Sequence, residues 1–158
     1  MVCGPNWGIS NAPSEGAESI QNIEQFYTIL AKNAAAKVST FKSIISNFCQ
    51  RPDCFESHAS KSTVALFMKN PATGRNSCLV QLDTKGQVFL CRGYILDLEP
   101  FAEPEVRERL DQNITRIFGE IETTPKNYYP KVSNASVAQI EEFVDLIAKE
   151  FQLFKHNS

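Results

Sequence analysis

Between Thr63 and Leu98 three apolar runs follow one another with turn-forming residues between them, and a long helical pattern stands on either side. Few folds admit that order. Thr63 to Met68 (Thr-Val-Ala-Leu-Phe-Met) is rich in side chains that suit a pleated surface, and Pro71, Gly74 and Asn76 mark the loop that follows. Cys78 to Leu82 and Gln87 to Tyr94 are the next two runs, joined by Asp83-Thr84-Lys85-Gly86. A type I turn with Gly86 in the left-handed conformation closes such a hairpin with a bulge, since glycine takes positive φ without steric cost. The expected unit is an antiparallel β-meander.

The flanking segments carry helical periodicity. Ile20, Ile23, Phe26, Leu30, Ala34, Val38, Phe41, Ile45 and Phe48 step by three or four residues and share one face, as one helix or as two with a break near Ser39. Pro52 ends the run, because the residue before a proline is pushed out of the helical region. After the meander, Val106, Leu110, Ile114 and Ile117 recur at helical spacing, with Pro104 suited to the first turn and Gly119 to the exit. The outer face of this helix carries Glu105, Arg107, Glu108, Arg109 and Asp111, an alternating-sign set read as a solvated surface. Tyr128 to Val132 contains Pro130 and reads as a short edge strand. A last helix starts near Val137, where Ser136 and Gln139 form a capping box, and Val137, Ile140, Phe143, Val144, Ile147, Phe151 and Phe154 make its apolar stripe.

A stripe must be buried against something, and a small antiparallel sheet with one apolar face is the available partner. The expectation is an α+β two-layer domain in which a meander of three or four strands packs against amphipathic helices. Its order is helix, three strands, helix, a short strand, helix. Residues 1–16 hold prolines and glycines without periodicity and read as a flexible tail, with Trp7 its one large apolar side chain, and residues 17–158 form a single domain.

At 158 residues the chain can bury roughly 70% of the surface its unfolded form exposes, so neither metal nor disulfide is needed to fold it. A net charge of −2 argues against a general nucleic-acid coat. No apolar run approaches the ~20 residues of a membrane span, and the N-terminus lacks the pattern of a secretion signal, which points to the cytoplasm. The five cysteines are an odd number without tight pairing. Regular alternation places Cys78 opposite Arg92 and Cys91 opposite Leu79, which sets the two sulfurs on opposite faces of the sheet and disfavours a disulfide. Cys49, Cys54 and His58 have a Cys-x4-Cys-x3-His spacing, but no second paired half follows to complete four zinc ligands. No metal and no cofactor are expected.

Three further constellations bear on chemistry. Pro52-Asp53 followed by Asp83-Thr84-Lys85 resembles the Pro-Asp…Asp/Glu-x-Lys pattern of metal-dependent nucleases. That resemblance implies Mg²⁺ held by Asp53 and Asp83, with Lys85 as the catalytic lysine and Glu24 as an extra acid. Against it, Asp83 to Gly86 is itself a good tight turn. Only His58 and His156 offer imidazole, and neither has an evident nucleophile with an orienting third group. Lys61, Lys69, Arg75, Lys85 and Arg92 surround the meander and offer a weak basic patch for nucleic acid or phosphate, or simply soluble strand ends.

With no convincing cluster of titratable groups, the favoured function is a non-catalytic macromolecular binding protein: an adaptor, inhibitor or chaperone-like subunit acting through apolar helix faces on a protein partner. A homodimer is expected, with Phe143, Ile147, Phe151 and Phe154 as its binding residues. The divergent nuclease is the alternative.

Overall fold

The protein is described by a computed structural model that covers residues 13–60, 62–121 and 129–157. Two helices open the chain: α1 (Pro13–Ala34) and α2 (Val38–Cys49), separated by a single 3-10 turn at Ala35–Lys37. The break is not a matter of propensity, because alanine is the best helix former and three alanines lie there. Tertiary contacts hold it instead. Asn33 Nδ2 donates to the Thr84 carbonyl at 2.9 Å and Lys37 Nζ donates to the Ser133 carbonyl, so both sides of the break are tied to other parts of the fold. Of the segment assigned to the tail, residues 1–12, Trp7 among them, lie outside the described residues, and α1 begins at Pro13.

Four antiparallel strands follow, β1 (Cys54–Ser60), β2 (Thr63–Lys69), β3 (Asn76–Asp83) and β4 (Val88–Leu90), in the spatial order β1-β2-β3-β4. β1 has no counterpart in the sequence pattern. Its sequence, Cys-Phe-Glu-Ser-His-Ala-Ser, has neither an apolar run nor strict alternation, and it becomes a strand by pairing with β2. The strand expected to run to Tyr94 stops at Leu90. Cys91 instead caps a short helix α3 (Arg92–Leu96), whose helical spacing brings Ile95 and Leu96 into the core. The expected edge strand at Tyr128–Val132 reduces to one bridge between Phe89 and Lys131, flanked by hydrogen bonds from Leu90 N to Pro130 O (2.9 Å) and from Val132 N to Val88 O (2.8 Å). Tyr128 itself lies outside the described residues.

Two longer helices complete the domain, α4 (Pro104–Phe118) and α5 (Val137–Asn157). Pro104 occupies the first turn of α4, and Gly119 ends it at φ 87°. The capping box of α5 forms as its sequence requires: Gln139 N donates to Ser136 Oγ at 3.1 Å and Ser136 N donates to Gln139 Oε1 at 2.8 Å. The same Gln139 donates through Nε2 to Ile117 O at 2.8 Å, tying the start of α5 to the end of α4.

The helices and the sheet share one core. Phe26, Leu30, Phe41, Phe48, Ile114, Phe143, Ile147 and Phe151 meet Val64, Leu66 and Met68 of β2, Leu79, Val80 and Leu82 of β3, and Val88 and Leu90 of β4. The α+β two-layer architecture is therefore the observed one. Among the described residues, no helix is long and apolar enough to cross a membrane.

Gly86 closes the β3–β4 turn at φ 85°, with its amide donating to Asp83 O at 3.2 Å. A Cβ at this position would sit 2.8 Å from Ala34 Cβ, whereas at Gly74 (φ 75°) it would meet nothing within 4 Å. Gly74→Ala is expected to cost about 1 kcal/mol from backbone strain alone, and Gly86→Ala about 2 kcal/mol or more from strain and collision together. Chemical denaturation of the two variants checks the ranking.

Candidate functional site

The two faces of the sheet differ in what covers them. On the face opposite the main core, cross-strand pairing lays down two rows. Ser57, Ala65, Gln81 and Phe89 form one, and Phe55, Phe67 and Cys78 form the other, which Cys91 extends beyond the end of β4. The Phe55 and Phe67 rings stack with centroids 5.4 Å apart and planes 6° apart, and both are half-buried. Ala65, Cys78 and Cys91 make a small buried cluster with Phe67 packed on it, and among the described residues none of α1, α2, α4 or α5 belongs to that cluster. Tyr94 and Tyr129, both exposed, meet edge to face at 5.6 Å where the sheet gives way to α3. The two rows are bounded by the Thr63–Asp83 pair at one strand end and the Lys69–Asn76 pair at the other.

A bulge in β3 creates this cluster and overturns the expectation for the cysteines. Leu66 pairs with Val80 but Phe67 pairs with Cys78, so Leu79 is an extra residue. Leu79 and Val80 both turn into the main core, and Cys78 is moved to the face of Ala65, Gln81 and Cys91. The Cys78 and Cys91 sulfurs, expected on opposite faces, lie 3.2 Å apart.

The residues of the nuclease resemblance do not converge. Asp83 pairs with Thr63 at one end of β2, whereas Asp53 O accepts from Lys69 N at 2.9 Å at the other end. Six residues of strand separate those positions, roughly 20 Å. Asp83 belongs to its turn: Oδ1 accepts from Lys85 N at 3.0 Å and Gln87 N at 2.9 Å. The Gln87 amide is oriented to donate to Asp83 Oδ2 at 2.7 Å and to accept from Lys131 Nζ at 3.0 Å. Lys85 is exposed at the tip, and Glu24 is exposed on α1. Asp83→Ala is expected to cost about 1 kcal/mol, since it frees backbone donors that the carboxylate now satisfies. Lys85→Ala is expected to stay within about 0.5 kcal/mol of wild type, as at other exposed positions. Urea denaturation of both variants measures the difference.

Among the described residues no group of three or more His, Cys, Asp or Glu side chains is placed to hold a metal ion. The His58 side chain lies outside them, so of the three zinc candidates only the cysteines can be placed. Cys49 Sγ donates to Glu56 Oε2 at 3.4 Å, and burial together with the Glu56 charge pushes its thiol pKa up to about 12. Burial pushes Cys54 up to about 11, against a lowering by Arg51. Both are therefore thiols at neutral pH, poor as nucleophiles. The same neighbourhood raises Tyr27 to about 12, through burial first and the Glu56 charge second, while Lys42 Nζ lies 5.1 Å from its ring centroid.

The basic set is also dispersed. Lys69 and Arg75 are exposed at one end of the meander and Lys85 at the other, and Lys61 lies outside the described residues. Arg92 is not on the surface at all. It is 5% exposed and forms a bidentate ion pair with Asp111 of α4, Nε to Oδ1 at 2.8 Å and Nη2 to Oδ2 at 3.0 Å. The charged face of α4 is likewise not simply solvated. Arg109 grips Glu150 of α5 at 2.5 and 2.7 Å, and Arg107 donates to the carbonyls of Leu96 and Phe101.

The helix stripe proposed as a binding surface faces inward. Phe143, Ile147 and Phe151 are core residues, and Phe154, near the end of α5, is half-buried. The aromatic row on the second sheet face was missed as a surface. Phe55 belongs to a strand without an apolar pattern, and no sequence signal announces the β3 bulge.

Comparison of the chain with protein-family models, with curated proteins and with solved structures finds no match to any of them.

Proposed function

We propose that this chain is a non-catalytic protein-binding module, that its docking surface is the sheet face carrying Phe55 and Phe67, and that a second copy of the chain is the partner. The observation that supports the reading is the stacked Phe55–Phe67 pair, two half-buried rings 5.4 Å apart on the sheet face opposite the main core. Association through an apolar centre with a polar rim is the usual anatomy of a protein interface. The face carries its aromatic rings between two polar strand ends, so a two-fold axis crossing the strands lays middle on middle, as an isologous dimer needs. Two sheets then pack face to face at about 10 Å, the spacing of a β-sandwich.

Sedimentation or light scattering tests this directly. At tens of micromolar the wild type is expected at twice the 17.7 kDa chain mass. Phe67→Glu, and independently Phe55→Lys, are expected to weaken association roughly 30-fold or more, as loss of a central aromatic contact does. Leu153→Glu, on the exposed side of α5, is the control and should leave the mass unchanged. A wild type that stays at one chain mass would refute the self-association. A dimer broken by Leu153→Glu and untouched by both sheet-face variants would return the interface to the helices.

A further inference from the structure

Cys78 and Cys91 meet in the small buried cluster on the second sheet face. Their sulfurs are 3.2 Å apart, Cys78 is 5% exposed and Cys91 fully buried. The contact has two independent structural causes. The bulge at Leu79 turns Cys78 onto the second sheet face, and the end of β4 at Leu90 frees Cys91 to start α3 while its amide still donates to Leu79 O at 2.9 Å. The backbones on both sides are thus held by hydrogen bonds, and closing the gap to a disulfide length of about 2.05 Å asks for side-chain rotation of about 1 Å.

We propose that Cys78 and Cys91 are a redox-active dithiol, a site of reversible disulfide formation whose oxidant is hydrogen peroxide. Cys78 is the attacking thiol, because it alone of the two retains any contact with solvent. Its thiolate displaces hydroxide from the peroxide, giving a sulfenic acid and, after the hydroxide takes up the thiol proton, one water. Cys91 then attacks that sulfur; the S–S bond forms, the S–OH bond breaks, and the hydroxide leaves as a second water with the Cys91 proton. Two thiols lose two electrons and one peroxide gains them. The contact with Cys78 and, second, burial hold the Cys91 thiol pKa well above its ordinary value, which disfavours Cys91 as the first attacker. The link would fasten the first residue of the β4–α3 junction to β3. Cys78 shares its row with Phe55 and Phe67, so the proposed dimer would cover its solvent contact, and the oxidation is read on dilute, monomeric protein.

The test is peroxide treatment of the folded full chain, followed by unfolding, alkylation and peptide mapping. Two of the five thiols should disappear, the intact mass should fall by about 2 Da, and the map should join Cys78 to Cys91, with dithiothreitol restoring both. The Cys49→Ser/Cys54→Ser double variant should oxidise as wild type does, and Cys78→Ala and Cys91→Ala should each lose the 2 Da change. The wild-type map needs no variant to fold. If folded wild type treated with excess peroxide keeps Cys78 and Cys91 as separate thiols, carries Cys78 to the sulfinic acid without the link, or joins Cys49 to Cys54 instead, the proposal is overturned.

Discussion

Phe151→Ala is expected to destabilise the protein by roughly 3–5 kcal/mol, the usual cost of removing a large aromatic from a packed core. Phe151 is 1% exposed and meets Phe101 edge to face at 6.0 Å, so truncation leaves a void lined by Phe101 and its neighbours in the same core. Leu153, two residues on and 45% exposed, should change stability by less than about 0.5 kcal/mol when cut to alanine. The pair also distinguishes two roles for α5. If Phe151 acts inside one chain, its loss lowers the denaturation midpoint equally at low and high protein concentration. An interface residue would instead make the deficit depend on concentration, because association stabilises by mass action. The first pattern is expected, and a deficit that appears only at high concentration would contradict the inward stripe.

The second large effect concerns Arg92. Asp111→Ala is expected to cost about 3 kcal/mol, because it strands a guanidinium that is almost fully removed from water; Asp111 keeps some contact with solvent, which places the cost at the low end for a broken buried pair. Arg92 Nη1 already meets no partner among the described residues, so little nearby could take up the lost bonds. Replacing both partners by apolar side chains, Arg92→Met with Asp111→Leu, should cost less than Asp111→Ala alone, since it removes the charge that would otherwise lie unpaired. Thermal or urea denaturation of Arg92→Met, Asp111→Leu and their double variant gives the coupling. Additive costs would mean that the pair contributes nothing of its own.

Arg92 also shows where sequence reasoning stops. As a residue type beside Lys69, Arg75 and Lys85 it belongs to a basic patch, and nothing local distinguishes it from them. Its burial follows from the end of β4 two residues earlier and from the position of α4, neither of which lies within a short window of sequence. The same is true of Phe55, whose stacking partner comes from β2, and of Cys78, whose face is set by one extra residue in β3. A residue's face in a strand inverts with each one-residue shift of register, so a single bulge is enough to reverse the expected placement of the two thiols.

What the chain determined by itself is what depends on neighbours within a turn or two. The stripes of α4 and α5 fell on the core side because helical periodicity gathers every third or fourth side chain onto one face, and Ser136 with Gln139 capped α5 because their groups satisfy each other's backbone donors at that spacing. Gly86 took the left-handed turn because the Asp-x-x-Gly hairpin requires positive φ there. Only the tertiary structure decided that three alanines break a helix, that a polar heptapeptide becomes β1, and that β4 yields to α3 after Leu90. In each of these the local preference was weak or contrary, and hydrogen bonds and burial supplied by distant residues outweighed it.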